Sequence, residues 1–440
     1  MRIARITVTN LFGIFDHNIP LNLEDRMTII HGPNGFGKTT LLQMLDGLFN
    51  RGYSELVSIP FGRFQVDFED GSVLWVEKTE VENNLSGIEI SFRESHAKRV
   101  RTFSFSRANS LHERRGFPLG LLEDLVDGLY RSGPSEWVYT PSGRVVSQEE
   151  VLDRFGHLLP PDLAKREQEP DWWQEALDSV DIRFIKSQRL FSFRESGPRR
   201  RGPQMIEAVT EYSEELAETI RQKLAESADL SQALDRTFPA RLVRQIGQSG
   251  ITDNELRDRL SALEKQRSRL RDAGLLDKQE DVDFLPSEEI VDYARDVLAV
   301  YVQDVQRKLG VFDEIATKTE LLKRIINDRF LYKRMTISKE NGFIFTAQDG
   351  RQLPLTKLSS GEQHELVLLY QLLFKIKPNS LILIDEPELS LHVAWQKMFL
   401  RDLQEITKLA LFDVLVATHS PQIIADRWDL TVKLRGPEVS

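Results

Sequence analysis

The sequence predicts an α/β protein with a mostly parallel core sheet, an antiparallel β subdomain and a helical insertion. Three observations predict it. Met27-Thr28-Ile29-Ile30-His31 reads as an apolar strand, followed by the Gly-rich loop Gly32-Pro33-Asn34-Gly35-Phe36-Gly37 and by Lys38 to Leu45, whose apolar residues have helical spacing. Leu381-Ile382-Leu383-Ile384 is apolar at every position, as a strand buried on both faces requires, and it ends in Asp385-Glu386-Pro387-Glu388. Phe412 to Thr418 is a third strand, delivering His419-Ser420-Pro421, and helical patterns over Leu358 to Phe374 and about Val393 to Ile406 flank the second strand. Strands and helices alternating on this scale imply a parallel sheet covered on both faces.

The remaining elements follow in chain order. Ile3 to Leu11 alternates, the chain turns near Gly13, and the pattern resumes through Ile19, Leu21 and Leu23, which is a β-hairpin leading into the Met27 strand. Phe64 to Phe68, Val73 to Glu77 and Ile88 to Phe92 alternate in the same way, with Asp70-Gly71 and a stretch holding Asn83-Asn84 and Gly87 as turns, so residues 1–104 form a lobe with an antiparallel sheet. Residues 105–180 are a mixed insertion with prolines and a helical stretch over Pro118 to Leu129. Val180 to Ile185 is a strand, which opens the segment 181–204. Residues 205–330 are a helical insertion broken near Phe238-Pro239 and Phe284-Leu285-Pro286, in which Leu256, Leu260, Leu263 and Leu270 have heptad-like spacing over too few turns for a long coiled coil. An amphipathic hairpin packed on the core or on a partner accounts for that spacing. Residues 331–440 form a C-terminal lobe.

Composition narrows the function classes. The 440 residues contain no cysteine, so disulfide frameworks and thiolate metal sites are excluded, and the eight histidines show no ligand spacing. No apolar run approaches the roughly 20 residues of a membrane span, and Met1-Arg2-Ile3-Ala4-Arg5-Ile6 reads as a strand and not a signal peptide. A soluble, cytoplasmic protein with no membrane partner is expected. The net charge of −10 argues against nucleic-acid binding by the whole surface, although one basic face is compatible with it.

The loop after the first core strand has the chemistry of a phosphate cradle. Its glycines let backbone N–H groups turn onto phosphate oxygens, and the helix that follows aims its positive end at a bound anion. Lys38 would then reach the β- and γ-phosphates, and Thr39 would put its hydroxyl on Mg²⁺. Asn34, Gly35, Phe36, Gly37, Lys38, Thr39 and Thr40 are the candidate nucleotide-binding residues.

Four elements occur in one order: the loop Gly32 to Thr39, the segment Leu358-Ser359-Ser360-Gly361-Glu362-Gln363, the acidic strand end Asp385-Glu386, and His419. In that order they resemble the ABC-type ATPases of the RecF, SMC and OLD kind. The likeness spans the chain in outline, and its specific part is the nucleotide motifs. It implies the ABC-ATPase P-loop fold with ATP and Mg²⁺ as ligands. Asp385 would hold Mg²⁺, directly or through water, across from Thr39. Glu386 is the candidate general base for the water that attacks the γ-phosphate, the bland alternative being a solvated acidic turn. His419 would donate to the γ-phosphate and report its loss. Gln188, at the end of a strand, is preferred over Gln65 as the glutamine that completes the Mg²⁺ shell.

Leu358 to Glu362 resembles the LSGGQ signature, departing from it at Ser360 and Glu362. The resemblance implies that Ser359 and the Gly361 N–H bind the γ-phosphate of ATP held by a second copy, giving a head-to-tail dimer. An ordinary Ser N-cap with Glu362 in the first turn is the alternative. Pro387 to His392 resembles the D-loop at such an interface, and Ser390 is also a plausible N-cap. For the adenine, Asn10, Leu11 and Phe12 are possible contacts, with a core role for Phe12 the alternative.

Tyr212 to Leu216 and Ser231 to Pro239 resemble segments of the compact stand-alone ATPases of bacterial anti-phage systems such as PARIS and Septu. OLD nucleases carry a TOPRIM domain after the ATPase, whereas only 21 residues follow His419, so the expected effector, a nuclease or toxin, is a separate chain. The alternative function is a RecF- or SMC-like DNA-binding repair ATPase. Lys98, Arg99 and Arg101, the pair Arg114 and Arg115, and Arg199 to Arg201 are the basic clusters that could serve DNA or be solvated loops. A transporter subunit is disfavoured by the helical insertion and the N-terminal hairpin.

Overall fold

The computed structural model describes residues 1–81, 85–95, 97, 99–106, 126, 128–133, 136–139, 144–155, 169–185, 191–194, 204–245, 250–277, 290–389, 391 and 393–436. They fall into two compact units, Met1–Glu207 with Gln371–Ser440, and Ala208–Tyr370. The second unit is therefore one contiguous excursion of the chain. Its boundary at Tyr370 falls inside the segment 331–440 that sequence patterns group as one lobe.

The first unit opens with the hairpin β1 (Ile3–Leu11) and β2 (Phe15–Pro20), followed by β3 (Met27–His31), α1 (Lys38–Phe49) and α2 (Tyr53–Ser58). Strands β4 (Arg63–Phe68), β5 (Val73–Val81), β6 (Leu85–Arg93) and β7 (Arg101–Ser106) complete an antiparallel sheet in the order β2-β1-β4-β5-β6-β7. Period-2 alternation turns Ile6, Val8, Phe64, Val66, Leu74 and Val76 inward. These residues share one core with Leu41, Leu42, Met44, Leu45 and Leu48 of α1 and with Leu383 and Leu415. Helix α1 is thus buried nearly all round, which explains why its sequence is apolar on more than one face.

A small sheet of β8 (Leu129–Arg131), β9 (Glu136–Tyr139) and β10 (Arg144–Ser147) is followed by α3 (Gln148–Phe155) and α4 (Asp171–Asp178). Then β11 (Ile182–Ile185) enters a parallel sheet, and β12 (Phe191–Arg194) pairs with β13 (Gln204–Glu207). The helical insertion consequently begins at Ala208, and Met205 to Glu207 belong to a strand. The expected helix over Pro118 to Leu129 lies mostly outside the described residues, and its last residue is in β8.

The second unit contains α5 (Ala208–Gln245), α6 (Asp253–Asp272), α7 (Asp292–Gly310), α8 (Asp313–Arg329), a sheet of β14 (Lys333–Ser338), β15 (Gly342–Ala347) and β16 (Gln352–Leu353), and α9 (Ser360–Tyr370). Leu256, Leu260, Leu263 and Leu270 are buried on α6, which packs against α7, so the short heptad is the seam of a helical hairpin within the unit. The expected break at Phe238-Pro239 does not occur, and α5 runs through Pro239. Pro239 removes one intrahelical donor, but the turn around it is pinned from outside. Arg241 donates to the Leu234 carbonyl at 2.8 Å and to both carboxylate oxygens of Asp304 on α7 at 2.5 and 2.7 Å.

The chain returns to the first unit at a π-helical turn, Gln371–Lys375, and adds β17 (Leu381–Asp385), α10 (Val393–Ala410), β18 (Asp413–Thr418), the short α11 (Pro421–Ile424) and β19 (Thr431–Lys433). The parallel sheet has the order β11-β17-β18-β3-β19. Its three central strands are buried almost throughout, as their unbroken apolar runs require. Among the described residues, no helix is long and apolar enough to cross a membrane.

Candidate functional site

In register, Asp385 on β17 pairs with Ala417 on β18, and Thr418 pairs with His31 on β3. The loops leaving the carboxyl ends of three adjacent strands therefore emerge side by side, where open parallel sheets place their ligand crevices. They are the segment Gly32 to Gly37, the turn beginning at Glu386, and the turn at His419.

The first of these loops is shaped by two glycines in the left-handed region, Gly35 at φ 87° and Gly37 at φ 82°. A Cβ on Gly37 would lie 2.7 Å from Leu11 Cδ2, so the loop needs glycine there for space as well as for conformation. Asn34 and Gly35 are exposed, Gly37 and Lys38 buried. The loop is braced from the hairpin, where buried His17 donates from Nε2 to the Phe36 carbonyl at 2.9 Å. Burial lowers the pKa of His17 and so favours the neutral ring, and the Phe36 carbonyl, which can only accept, selects its Nε2–H tautomer. The Phe36 ring packs at a tilt against Phe15, 5.3 Å between centroids.

Lys38 is the first residue of α1, and its side chain is 5% exposed. Its Nζ donates to the Gly32 carbonyl at 2.8 Å and the Pro33 carbonyl at 3.3 Å, and lies 3.9 Å from Glu386 Oε1. Thr39 Oγ1 donates to Asp385 Oδ1 at 3.2 Å. A hydroxyl and a carboxylate meeting across two loops are the hard oxygen donors that Mg²⁺ selects, so the residues present fit that ion. The first-turn N–H groups of α1 have no intrahelical acceptors, which makes the helix start a ready anion site.

Glu386 follows β17 with φ 45°, a left-handed conformation unusual for a glutamate. Its N–H donates to the Ala417 carbonyl, and its Oε2 lies 2.5 Å from His419 Nδ1. Burial raises the pKa of Glu386, and the neighbouring Glu388 carboxylate raises it further against the opposing effect of His419. A carboxylate shifted toward neutral pH is a stronger base. His419 is half-exposed at the end of β18, within reach of a ligand at the loop mouth.

In the second unit, Ser359 and Glu362 form a reciprocal cap on α9. Glu362 Oε2 accepts from the Ser359 N–H at 2.7 Å and from Ser359 Oγ at 2.9 Å, while the Glu362 N–H points back at Ser359 Oγ, 3.4 Å away. Lys333 Nζ lies 2.6 and 2.7 Å from the two Glu362 oxygens. Burial pushes the Glu362 carboxyl up, but Lys333 and Ser359 outweigh it and hold it below its ordinary value. Ser359 is thus the N-cap that its sequence allows. Gly361 has open space around its Cα, and a Cβ added there would meet nothing within 4 Å.

The structure brings the Gly32 to Thr40 segment, Asp385, Glu386 and His419 together at the carboxyl ends of the three central strands of the parallel sheet. Gln188 lies outside the described residues, as do Lys98, Arg114, Arg115, Arg199 to Arg201, Ser390 and His392. Gln65, its rival, sits on β4 with its amide donating to Asp67 at 2.7 Å. A core role for Phe12 is not realised. Its φ is 56° and its ring is 42% exposed beside Gly37, whereas Leu11 is fully buried. Sequence reasoning missed His17 as a brace for the loop. It also missed Glu388, whose signal was only a second acid two residues after Glu386.

Residues 148–425, well over half of the chain, match the family model described as AAA domain, putative AbiEii toxin, Type IV TA system. Residues 1–113 match that of an AAA ATPase domain. No curated protein sequence matches the chain. Among solved structures it is similar to the SMC head domain from Thermotoga maritima, at 13% identity over 97% of this chain and 93% of that one, with a TM-score of 0.33. It is also similar to the Smc head domain with an extended coiled coil bound to the C-terminal domain of ScpA from Pyrococcus furiosus, at 13% identity over 96% and 91%, with a TM-score of 0.31.

Proposed function

We propose that this chain, which belongs to the AAA-domain family described as putative AbiEii toxin, Type IV TA system, is a Mg²⁺-dependent ATPase that controls a separate effector in anti-phage defence. The observation that carries the ATPase part is a pair of contacts across neighbouring strand ends: Thr39 bonds to Asp385, while Glu386, the next residue, is in reach of both Lys38 and His419. Lys38 and the start of α1 bind and orient the β- and γ-phosphates. Thr39 and Asp385 would hold Mg²⁺, which when bound would neutralise charge on the phosphates. Glu386 takes the proton from the attacking water, and His419 donates to the γ-phosphate from the end of the adjacent strand β18. The defence role rests on the likeness of Tyr212 to Leu216 and Ser231 to Pro239 to segments of stand-alone anti-phage ATPases, and the matching family model is described as a putative toxin of a Type IV TA system.

The test is phosphate release from ATP by the purified chain, expected with Mg²⁺ and absent when the ion is chelated. The matching cellular test is plaque formation on cells carrying the chain with its neighbouring genes. Protection that persists when turnover is abolished would separate defence from the nucleotide cycle.

A second copy of the chain completes the proposed site head to tail through its Ser359 and Gly361. Ser359→Arg is expected to lower turnover by about 10²–10³-fold, the cost of one lost transition-state donor. The substitution also removes the α9 cap, so the decisive measurement is a mixture. Ser359→Arg mixed with Lys38→Ala should recover turnover that neither has alone, because mixed dimers contain one intact composite site. A mixture no more active than its components would rule out shared sites.

A further inference from the structure

Glu388 lies beyond the residues to which the proposed cycle assigns a role, and its side chain is 7% exposed. One of its oxygens, Oε1, accepts from Thr418 Oγ1 at 2.6 Å, from the His419 N–H at 3.2 Å and from the Ser420 N–H at 3.2 Å. The same oxygen is 3.2 Å from His419 Nδ1. A buried carboxylate that gathers three donors from one turn fixes that turn in place, since each lost partner would leave a desolvated charge. Glu388 is itself held. It belongs to the one-turn 3₁₀ helix Pro387–Leu389, the Leu389 N–H closes that turn onto the Glu386 carbonyl, and Gln396 of α10 donates to the Glu388 carbonyl at 3.2 Å.

We propose that Glu388 is the positioning residue of the site: it clamps the Thr418 to Ser420 turn so that the His419 imidazole meets Glu386, and so ties the base to the phosphate-sensing histidine. The inference rests on the proposed roles of Glu386 and His419. Geometry gives it a specific content. Glu386 and Glu388 flank Pro387 on one rigid turn, while His419 sits on a turn from the next strand, and Glu388 joins the two through the backbone of residues 418–420 as well as through side chains.

The experiment compares Glu388→Ala and Glu388→Gln in the full chain for MgATP affinity, turnover and thermal stability, with Glu386→Gln run in parallel. Glu388→Ala is expected to cut kcat by tenfold or more with ATP affinity within about threefold of wild type, the split expected when orientation and not binding is lost. Glu388→Gln keeps an acceptor oxygen for the three donors and should recover most of the lost kcat. Wild-type kcat in Glu388→Ala, or equal losses in the Ala and Gln variants at unchanged melting temperature, would overturn the proposal. If the Ala variant does not fold, the Gln variant decides: kcat near wild type supports the acceptor role, and loss as deep as Glu386→Gln refutes it. Should Glu386→Gln itself turn over normally, the assignment of the base has failed, a result distinct from failure of the clamp.

Discussion

Glu386→Gln is expected to lower ATP hydrolysis by about 10²–10⁴-fold, the usual contribution of a positioned general base, while ATP affinity stays the same or tightens. The substitution is nearly isosteric, so the left-handed turn at φ 45° and the amide contact with the Ala417 carbonyl persist. A glutamine can still pair with His419, which means that a kinetic loss reports missing proton acceptance and not a displaced side chain. The charge change acts in the other direction on binding. Glu386 Oε1 is 3.9 Å from Lys38 Nζ, so the carboxylate competes with an incoming phosphate for the same ammonium and repels it as well. Neutralising it removes both effects. Single-turnover hydrolysis with equilibrium nucleotide binding separates the two, and light scattering with ATP present shows whether the stalled protein accumulates as a dimer. Turnover at the wild-type rate would remove Glu386 as the base.

How much of this site was legible in the sequence depends on the range of the interaction that fixes each residue. Strand β17 and the acids after it were readable because four consecutive apolar residues admit few structures other than a strand buried on both faces. The Gly32 to Thr39 loop was readable because left-handed Gly35 and Gly37 and the helix start are local demands. Pro239 misled because its helix is held by Arg241 and Asp304, residues 63 apart in the chain, and no local propensity reports that clamp. Phe12 was ambiguous because the alternation that would turn it inward is broken by a register shift between Val8 and Leu11, which exposes Asn10 and buries Leu11 in its place. Glu388 was illegible as a functional residue for a similar reason. A second acid after a proline reads as a solvated turn until β17 and β18 are laid side by side and the turn at residues 418–420 closes over it. The signature segment was readable as a cap and as a phosphate ligand at once, because the same serine hydroxyl serves either role and only a second copy distinguishes them.

Lys38→Ala is expected to weaken ATP binding by about 30-fold to several thousand-fold, since truncating one partner of a buried, hydrogen-bonded charge pair costs about 2–5 kcal/mol and each 1.4 kcal/mol is tenfold. The ammonium is held beside the site by two carbonyls of its own loop, Gly32 and Pro33, while its side chain is 5% exposed. Neutral carbonyls compensate a buried cation less than an anion does, and the one carboxylate in reach, Glu386, stands off at 3.9 Å, so a phosphate arriving at the loop offers Lys38 a closer anionic partner than those it holds. The substitution removes that gain without unmaking the fold. The core side of α1 rests on Leu41, Leu42, Leu45 and Leu48, each no more than 1% exposed, and Asn34 and Gly35 beside the freed carbonyls are open to water. Loss of binding with an unchanged melting temperature is therefore the expected pair of results, read by nucleotide titration and thermal denaturation on the same sample. Affinity within threefold of wild type would mean that the loop holds phosphate through its backbone alone, and Lys38 would then be a brace for the Gly32 to Gly37 turn whose distance to Glu386 has no part in the cycle.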